Sequence, residues 1–548
     1  MQTSRLFTAA LLVVAGSADS WAQQPRGSTE GPRQSQTSEM ASGANGMVVS
    51  DDGLASDVGL QILRKGGNAV DAAVATAFAL AVTYPEAGNL GGGGFMVLRL
   101  ANGRDAALDF RETAPAAATR DMYIDEQGNV SQKSLVGHLA SGVPGAVAGL
   151  HEAHQKYGKL PWRAVISPAI ALADKGFVVS ARFSRMVDGD KRLAQFPGSA
   201  ALFLPDGKPI ANGANWRNPD LAATLRRIAE QGRDGFYKGE TADLIVAEMK
   251  RGGGIITYED LANYQPKWRE PIRFEYRKHQ VISMPPSSSG GITLALMANI
   301  LEGYDLRASG PATARTVHLI AEASRRAFAD RNHFLGDPDV VKIPSTTLIS
   351  EDYAEKQRAT IALDKATPSS EVRAGMGVVT ESENTTHLSV VDREGNAVAL
   401  TTTLNELFGS AVTIAGAGFL MNDEMDDFSA KPGSPNMFGL VQGEANAIAP
   451  GKRMLSAMTP TIVVGPNNRA VLVTGARGGP RIISAVFQIM SYVIDHKLLV
   501  KQAMESPRVH HQHLPDVLYH EAGALSPDEI ATLTAMGHSV QERPGSVG

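Results

Sequence analysis

Asn384-Thr385-Thr386-His387-Leu388-Ser389-Val390-Val391-Asp392-Arg393-Glu394-Gly395-Asn396-Ala397-Val398-Ala399-Leu400-Thr401-Thr402-Thr403 holds two alternating runs on either side of a turn-forming segment. This pattern predicts a β-hairpin. If Asp392 and Asn396 close a three-residue loop with Gly395 at positive φ, Thr403 lies directly across from Thr385. One face then carries Thr385, His387, Ser389, Ala399, Thr401 and Thr403, and the other carries Leu388, Val390, Val398 and Leu400. The apolar face belongs to a core. The small, hydroxyl-rich face suggests a site, although threonine is also simply a good strand former.

Upstream of the hairpin, residues 363–384 are polar and turn-rich, an accessible approach to Thr385 where a chain cut is sterically reasonable. Downstream, Glu424, Asp426 and Asp427 form an acidic cluster that reads as a solvated loop or a cation site, without the ligand spacing of a Ca²⁺ loop. Ser456-Ala457 sits in a loop before a predicted strand, Thr461–Val464. A second strand, Ala470–Thr474, leads through Gly475-Ala-Arg477-Gly478-Gly479-Pro480 into a helical run, Arg481–Ile494. Pro480 suits a first helical turn, so the amides of Gly478 and Gly479 lie where negative charge is favoured. An oxyanion hole or a plain strand-to-helix turn both fit. The cluster His510-His511-Gln512-His513 resembles a metal site, but adjacent histidines do not share a helical face.

Toward the N-terminus, Ala55 to Val82 reads as helical, broken at Gly66-Gly67, with Asn68 as N-cap of an Ala-rich helix. Tyr84-Pro-Glu-Ala-Gly-Asn-Leu-Gly-Gly-Gly-Gly-Phe95 has no lysine and leads into an apolar strand, Met96–Leu100, so it reads as a tight turn and not a phosphate loop. Arg111, at the end of the strand in Leu108-Asp-Phe-Arg-Glu112, is a candidate substrate clamp or a structural ion pair. Residues 143–336 are mainly helical, with amphipathic runs near 222–231, 241–250 and 313–334. Ser287-Ser-Ser-Gly-Gly291 follows a strand and opens a helix, which reads as turn and capping chemistry because the nucleophile-elbow spacing is absent.

The 548 residues, 43% hydrophobic and 20% charged, suffice for a large core. A net charge of −5 without a basic run points away from nucleic acid and anionic membranes toward a small-molecule partner. Arg5, the apolar run 6–16 and Ser20-Trp21-Ala22 predict a signal peptide, residues 1–22, with an uncleaved anchor as the alternative; the run is too short to span a bilayer and no later segment stays apolar long enough. Residues 23–40 predict a flexible leader. The absence of cysteine excludes thiol catalysis, Cys-ligated zinc and disulfides.

TTHLSVVD, GNAVALTTTLN, NDEMDDFSAKPG, LSAMTPT and VTGARGGPRII, preceded by GGNAVDAAVATAFAL, NLGGGGFM, LDFRETAPAAATRDMY, GVPGAVAGL and MPPSSSGG, resemble in order the motifs of the γ-glutamyltranspeptidases. The resemblance implies an α+β fold, the four-layer αββα sandwich of the N-terminal nucleophile hydrolases. It also implies self-cleavage between Asn384 and Thr385, giving a large subunit, 41–384, and a small one, 385–548, that stay together. Thr385 would be the nucleophile, its freed amine the base, and Thr403 its orienting partner. Gly478 and Gly479 would stabilise the oxyanion. The resemblance assigns Arg111 and Ser456 to the substrate α-carboxylate, and Asn405, Glu424 and Asp427 to its α-amino end. Donors would be glutathione and other γ-glutamyl compounds, acceptors water, amino acids or dipeptides, in a periplasmic or secreted enzyme. No metal or organic cofactor is required.

Three departures from the family pattern stand out. Ala457 replaces a second serine and removes a hydroxyl donor, Phe438 in the lid-like segment 432–443 lacks the usual aromatic hydroxyl, and the sequence given stops at Gly548 before the expected final strand pair. The alternatives are a glutaryl or cephalosporin acylase of the same superfamily, favoured by Ala457 and opposed by Arg111, Asn405 and Asp427, or an uncut γ-glutamyl-peptide-binding protein.

Overall fold

The computed structural model describes residues 40–372, 384–431, 443–543, 545 and 547. The predicted signal peptide, nearly all of the leader and the lid residue Phe438 lie outside them.

Ten strands, all antiparallel to their neighbours, make two sheets: β1 (Gly46–Val49), β2 (Gly93–Arg99), β3 (Asp105–Phe110), β4 (Lys267–Arg269), β5 (Ile272–Tyr276), β6 (His279–Ser283), β7 (Asn384–Asp392), β8 (Ala397–Asn405), β9 (Thr461–Val464) and β10 (Ala470–Thr474). The first sheet has the order β1-β7-β8-β2-β3-β4 and the second β10-β9-β6-β5. The hairpin β7-β8 occupies the middle of the larger sheet. Gly395 has φ +91°, the Asp392 amide donates to the Asn396 carbonyl at 3.0 Å, and Thr403 pairs with Thr385. A bulge follows at once, so that Asn405 pairs with Asn384.

Alternation sorts each strand's side chains into two cores. Met96, Leu98, Leu388, Val390, Val398 and Leu400 pack with helices α1 (Gly53–Arg64), α2 (Ala69–Thr83), α3 (Trp162–Lys175) and α4 (Pro219–Gln231). Phe95, Val97, Ala397 and Ala399 point the other way, onto Val281, Ile462, Val463 and Leu472 of the second sheet. That sheet is covered in turn by α5 (Gly290–Glu302), α6 (Ala314–Phe334) and α7 (Arg481–Ile494). The layers are therefore helix, sheet, sheet, helix, as expected.

Two expectations change. The hydroxyl-rich hairpin face is mostly the interior between the sheets: the half-buried His387 ring bridges Thr401 Oγ1 at 2.8 Å and Ser389 Oγ at 3.0 Å, while Ser389 donates to the Val473 carbonyl at 3.1 Å. Close packing around that imidazole pulls its pKa down to about 4. The tight turn expected within 84–95 is present, but it does not extend through the glycine run. The turn is at 85–87, and Gly93 and Gly94 already belong to β2, where a Cβ on Gly94 would stand 2.4 Å from the Thr401 carbonyl oxygen. Absent side chains there allow close backbone approach. Of the approach to Thr385, residues 363–372 are anchored: Ser369 donates to His513, and its amide donates to Asp516.

Candidate active site

Thr385, Thr403, Gly93 and Arg111 lie level with one another across four neighbouring strands. Thr403 pairs with Thr385 on one side and Gly93 on the other, and the pairing of Gly94 with Phe110 brings Arg111 level with Gly93. Three strand spacings of about 4.8 Å separate the Thr385 and Arg111 backbones, a gap that the long arginine side chain partly spans. Thr385 is buried at the head of β7, and Thr403 Oγ1 accepts from the Asn405 amide at 2.9 Å. Asn89 holds this end of β8, its Nδ2 donating to the Thr403 carbonyl at 2.9 Å and to Thr402 Oγ1 at 3.0 Å.

The acidic cluster is neither a solvated loop nor a cation site. Glu424 and Asp427 are buried and close on Arg111, whose Nη1 lies 2.6 Å from Glu424 and whose Nη2 donates to Asp427. Burial pushes both carboxyls above their ordinary range while the guanidinium pulls them down. Asn405 braces the same turn, at φ +82°, through Nδ2 to the Asp423 carbonyl at 3.0 Å. The Ser456 loop abuts Arg111: Arg111 Nε donates to the Met454 carbonyl at 3.4 Å. The segment 287–291, read as turn chemistry, is its cradle. The Ser456 amide donates to the Ser287 carbonyl at 3.0 Å, and Ser289 donates to the Ser456 carbonyl at 2.7 Å. Ala457 is buried among apolar side chains.

Several supporting residues were missed. Asp109 accepts from the Arg111 amide at 3.0 Å, from Arg269 at 2.7 Å and from Ser287 at 3.1 Å, so one carboxylate positions both the clamp and the cradle. Tyr264 donates to the Arg111 carbonyl at 2.8 Å, and Asn446 joins the Asp427 carbonyl to the Leu455 amide. Only the position of Asp109, two residues before the arginine, offered any signal; the others approach from remote sequence.

Gly478 and Gly479 both have positive φ, 117° and 59°, immediately before α7. The chain reaching them runs antiparallel to β7. Val473 is level with Ser389, and Gly475 presses on His387, so the path continues toward Thr385. The site residues Thr385, Thr403, Asn405, Glu424, Asp427, Arg111 and Ser456 thus converge on one end of the central sheet, and the Gly478-Gly479 loop heads toward it.

The C-terminal histidines do not converge. His510 pairs with Ser484 and Gln512, His511 with Asp516, and His513 with the Ser369 carbonyl. His318, Glu322 and His538 do approach one another. However, Glu322 Oε1 accepts from Thr367 and Arg325, and Oε2 from Arg326 and Thr367. A carboxylate so engaged beside two arginines belongs to an ion-pair network, not to a metal centre. Among the described residues, no helix is long and apolar enough to cross a membrane.

Two facing antiparallel sheets between helical layers, with a buried threonine heading a central strand, define an N-terminal nucleophile hydrolase fold. The chain superposes on the crystal structure of cephalosporin acylase from Bacillus halodurans with a TM-score of 0.80 at 28% identity, over 95% of this chain and 92% of that one. Helicobacter pylori γ-glutamyltranspeptidase gives 0.61 at 45% identity, over 62% of this chain and 98% of that one. The family model for γ-glutamyltranspeptidase matches residues 55–548. The glutathione hydrolase proenzyme of Escherichia coli K12 is 51% identical over 498 residues, 90% of this chain and 86% of that protein. The acylase ACY 1 proenzyme of Pseudomonas sp. V22 is 40% identical over 522 residues, 93% and 89% respectively. The chain belongs to the γ-glutamyltranspeptidase family.

Proposed function

We infer that this chain is a self-processing γ-glutamyltransferase and glutathione hydrolase, with Thr385 as its nucleophile. The observation that carries the reading is the placement of Thr385 opposite Thr403 at the same sheet end as the Arg111-Glu424-Asp427 cluster. In the precursor, Thr385 Oγ1 attacks the Asn384 carbonyl carbon. The peptide C–N bond breaks as an ester forms, and water hydrolyses the ester to leave subunits 41–384 and 385–548, a heterodimer from one chain. The new α-amine, with an ordinary pKa of about 7.7 to 8.0, then takes the Thr385 hydroxyl proton. Thr403 orients that hydroxyl.

The mature Thr385 attacks a γ-glutamyl amide such as glutathione. Arg111 and Ser456 hold the α-carboxylate, a planar fork being well shaped for it. Asn405, Glu424 and Asp427 hold the α-ammonium, and the Gly478 and Gly479 amides receive the oxyanion. The amine leaves with a proton, and water or the amine of an amino acid or dipeptide resolves the γ-glutamyl ester. The reading includes export, with residues 1–22 removed and the enzyme periplasmic or secreted.

Ala457 in an apolar wall favours an acylase as the second reading. Buried carboxylates beside Arg111 oppose it, because a glutaryl group has no ammonium to match them. The test is intact mass of the parent protein and Thr385→Ala after incubation at neutral pH, followed by turnover of γ-glutamyl and glutaryl amides. Cleavage before residue 385 only in the parent, with γ-glutamyl preferred, supports the assignment; a folded parent that stays a single chain refutes it.

A further inference from the structure

Segment 84–92 touches the site at two places. At its far end Asn89 grips Thr402 and Thr403, as described above. At its near end, Tyr84 caps α2, buried, with the Arg182 guanidinium 4.6 Å above its ring and Arg182 Nη2 donating to its hydroxyl at 2.7 Å. The same hydroxyl accepts from Arg477 Nη1 at 3.2 Å. Arg477 immediately precedes Gly478. Two residues earlier, Gly475 is wedged against His387, where a Cβ would stand 2.2 Å from Nδ1. The loop is thereby pinned at 475 by His387 and at 477 by Tyr84, and it is continued beyond 480 by α7. Between Arg477 and α7 lie two glycines at positive φ, a backbone that has no side chains of its own to hold it.

We propose that Tyr84, acting through Arg477, is a positioning residue that fixes the Gly478-Gly479 amides for the oxyanion while Asn89 fixes Thr403 from the same segment. The inference rests on the assignment of those amides to the oxyanion. It follows from a general requirement: donors aimed at developing charge work only when held in place beforehand, and a displacement of about 1 Å costs on the order of a hundred-fold in rate. Arg111, Glu424 and Asp427 are not part of this strut, so ground-state binding of the γ-glutamyl group is independent of it.

The test compares Tyr84→Phe, which keeps the ring under Arg182 but removes the acceptor oxygen, with Arg477→Met, Arg477→Lys and the Tyr84→Phe/Arg477→Met double variant. Self-cleavage is read by intact mass, kcat and KM with a γ-glutamyl anilide, and inhibition with a boronic acid that mimics the γ-glutamyl group and becomes tetrahedral on the threonine. Expected are kcat losses of about ten- to a hundred-fold, boronate affinity falling in parallel, and KM within about two-fold, because that binding energy lies elsewhere. Arg477→Lys recovers part of the loss, and the double variant is no worse than the worse single one. An active parent enzyme with an unimpaired Tyr84→Phe, or a loss carried equally by KM and thermal stability, overturns the strut and leaves Thr385 chemistry standing. A parent without γ-glutamyl turnover overturns both.

Discussion

Arg111 Nη1 lies 2.6 Å from Glu424 Oε2, with both side chains sealed from solvent. With Asp427 on the other nitrogen, the fork that would take a substrate carboxylate is already paired with the groups that would take its ammonium. Under the proposed assignment, an amino-acid zwitterion entering here would exchange internal ion pairs for two complementary ones, so that binding the γ-glutamyl head would be an exchange of partners and not the filling of an empty charge.

Asp427→Asn therefore separates γ-glutamyl from glutaryl amides. Both carry the carboxylate, and only the former carries the ammonium. Loss of a buried charged partner costs about 2–5 kcal/mol, so kcat/KM for the γ-glutamyl amide is expected to fall at least ten-fold more than for the glutaryl amide. Equal losses would show that Asp427 only supports Arg111.

Thr403→Val keeps the shape of the residue opposite Thr385 and deletes the oxygen that accepts from the Asn405 amide. The expected result is self-cleavage slowed by about ten- to a hundred-fold, with kcat of any mature enzyme reduced similarly, and KM for the donor little changed. Time courses by intact mass and steady-state kinetics check it. Unchanged processing would remove Thr403 from the mechanism.

Much of this geometry was legible because it is local. Loop closure at Asp392 and Asn396 set the hairpin register, and the boundaries of β9, β10 and α7 fell where the apolar runs and Pro480 place them. Asn68 caps α2 with a reciprocal Asp71 contact, as its position before an Ala-rich run suggests. What could not be read is what faces what. The His387 and Ser389 face is interior only because β10, some eighty residues on, lies over it. Small polar residues carry no hydropathy that distinguishes an inter-sheet layer from a site. Glu424 and Asp427 likewise look solvated until Arg111, more than three hundred residues away, is placed among them. Within 84–95 the turn was legible but its end was not, because glycine serves turns and close approaches alike.

Glu112 is fully buried, neither of its oxygens has a hydrogen-bond partner among the described residues, and Arg111 Nη1 is 3.8 Å away. Burial pushes its pKa from 4.5 up to about 8 against the pull of Arg111. The folded protein thus binds this proton over a pH range where the unfolded chain has released it, and stability contributed by the group falls as pH rises from about 4.5 to about 8. Glu112→Gln, neutral throughout, removes that slope. Melting temperatures of both proteins at pH 5 and pH 8 are expected to move apart in favour of the variant at the higher pH. Parallel pH profiles would mean that Glu112 is ionised in the folded state.

Gly92 tests whether the glycine run is there for approach and not for turning. A Cβ at this position would stand 2.2 Å from the Thr403 carbonyl oxygen and 2.7 Å from Asn89 Oδ1. The first is backbone, so relief requires moving β8 at the residue facing Thr385, and the same carbonyl accepts from Asn89. Gly92→Ala is expected to cost about 1–3 kcal/mol of stability, as overpacking does, and to slow self-cleavage more than that loss alone explains, because the displaced residue is the partner of the nucleophile. Gly189→Ala, with nothing within 4 Å of the added methyl, is the control and leaves both unchanged. Thermal melts and mass time courses on the three proteins decide it. A Gly92→Ala protein that melts and cuts like the parent would show that the strand end tolerates the displacement, and that register alone, not close packing against Gly92, sets the position of Thr403.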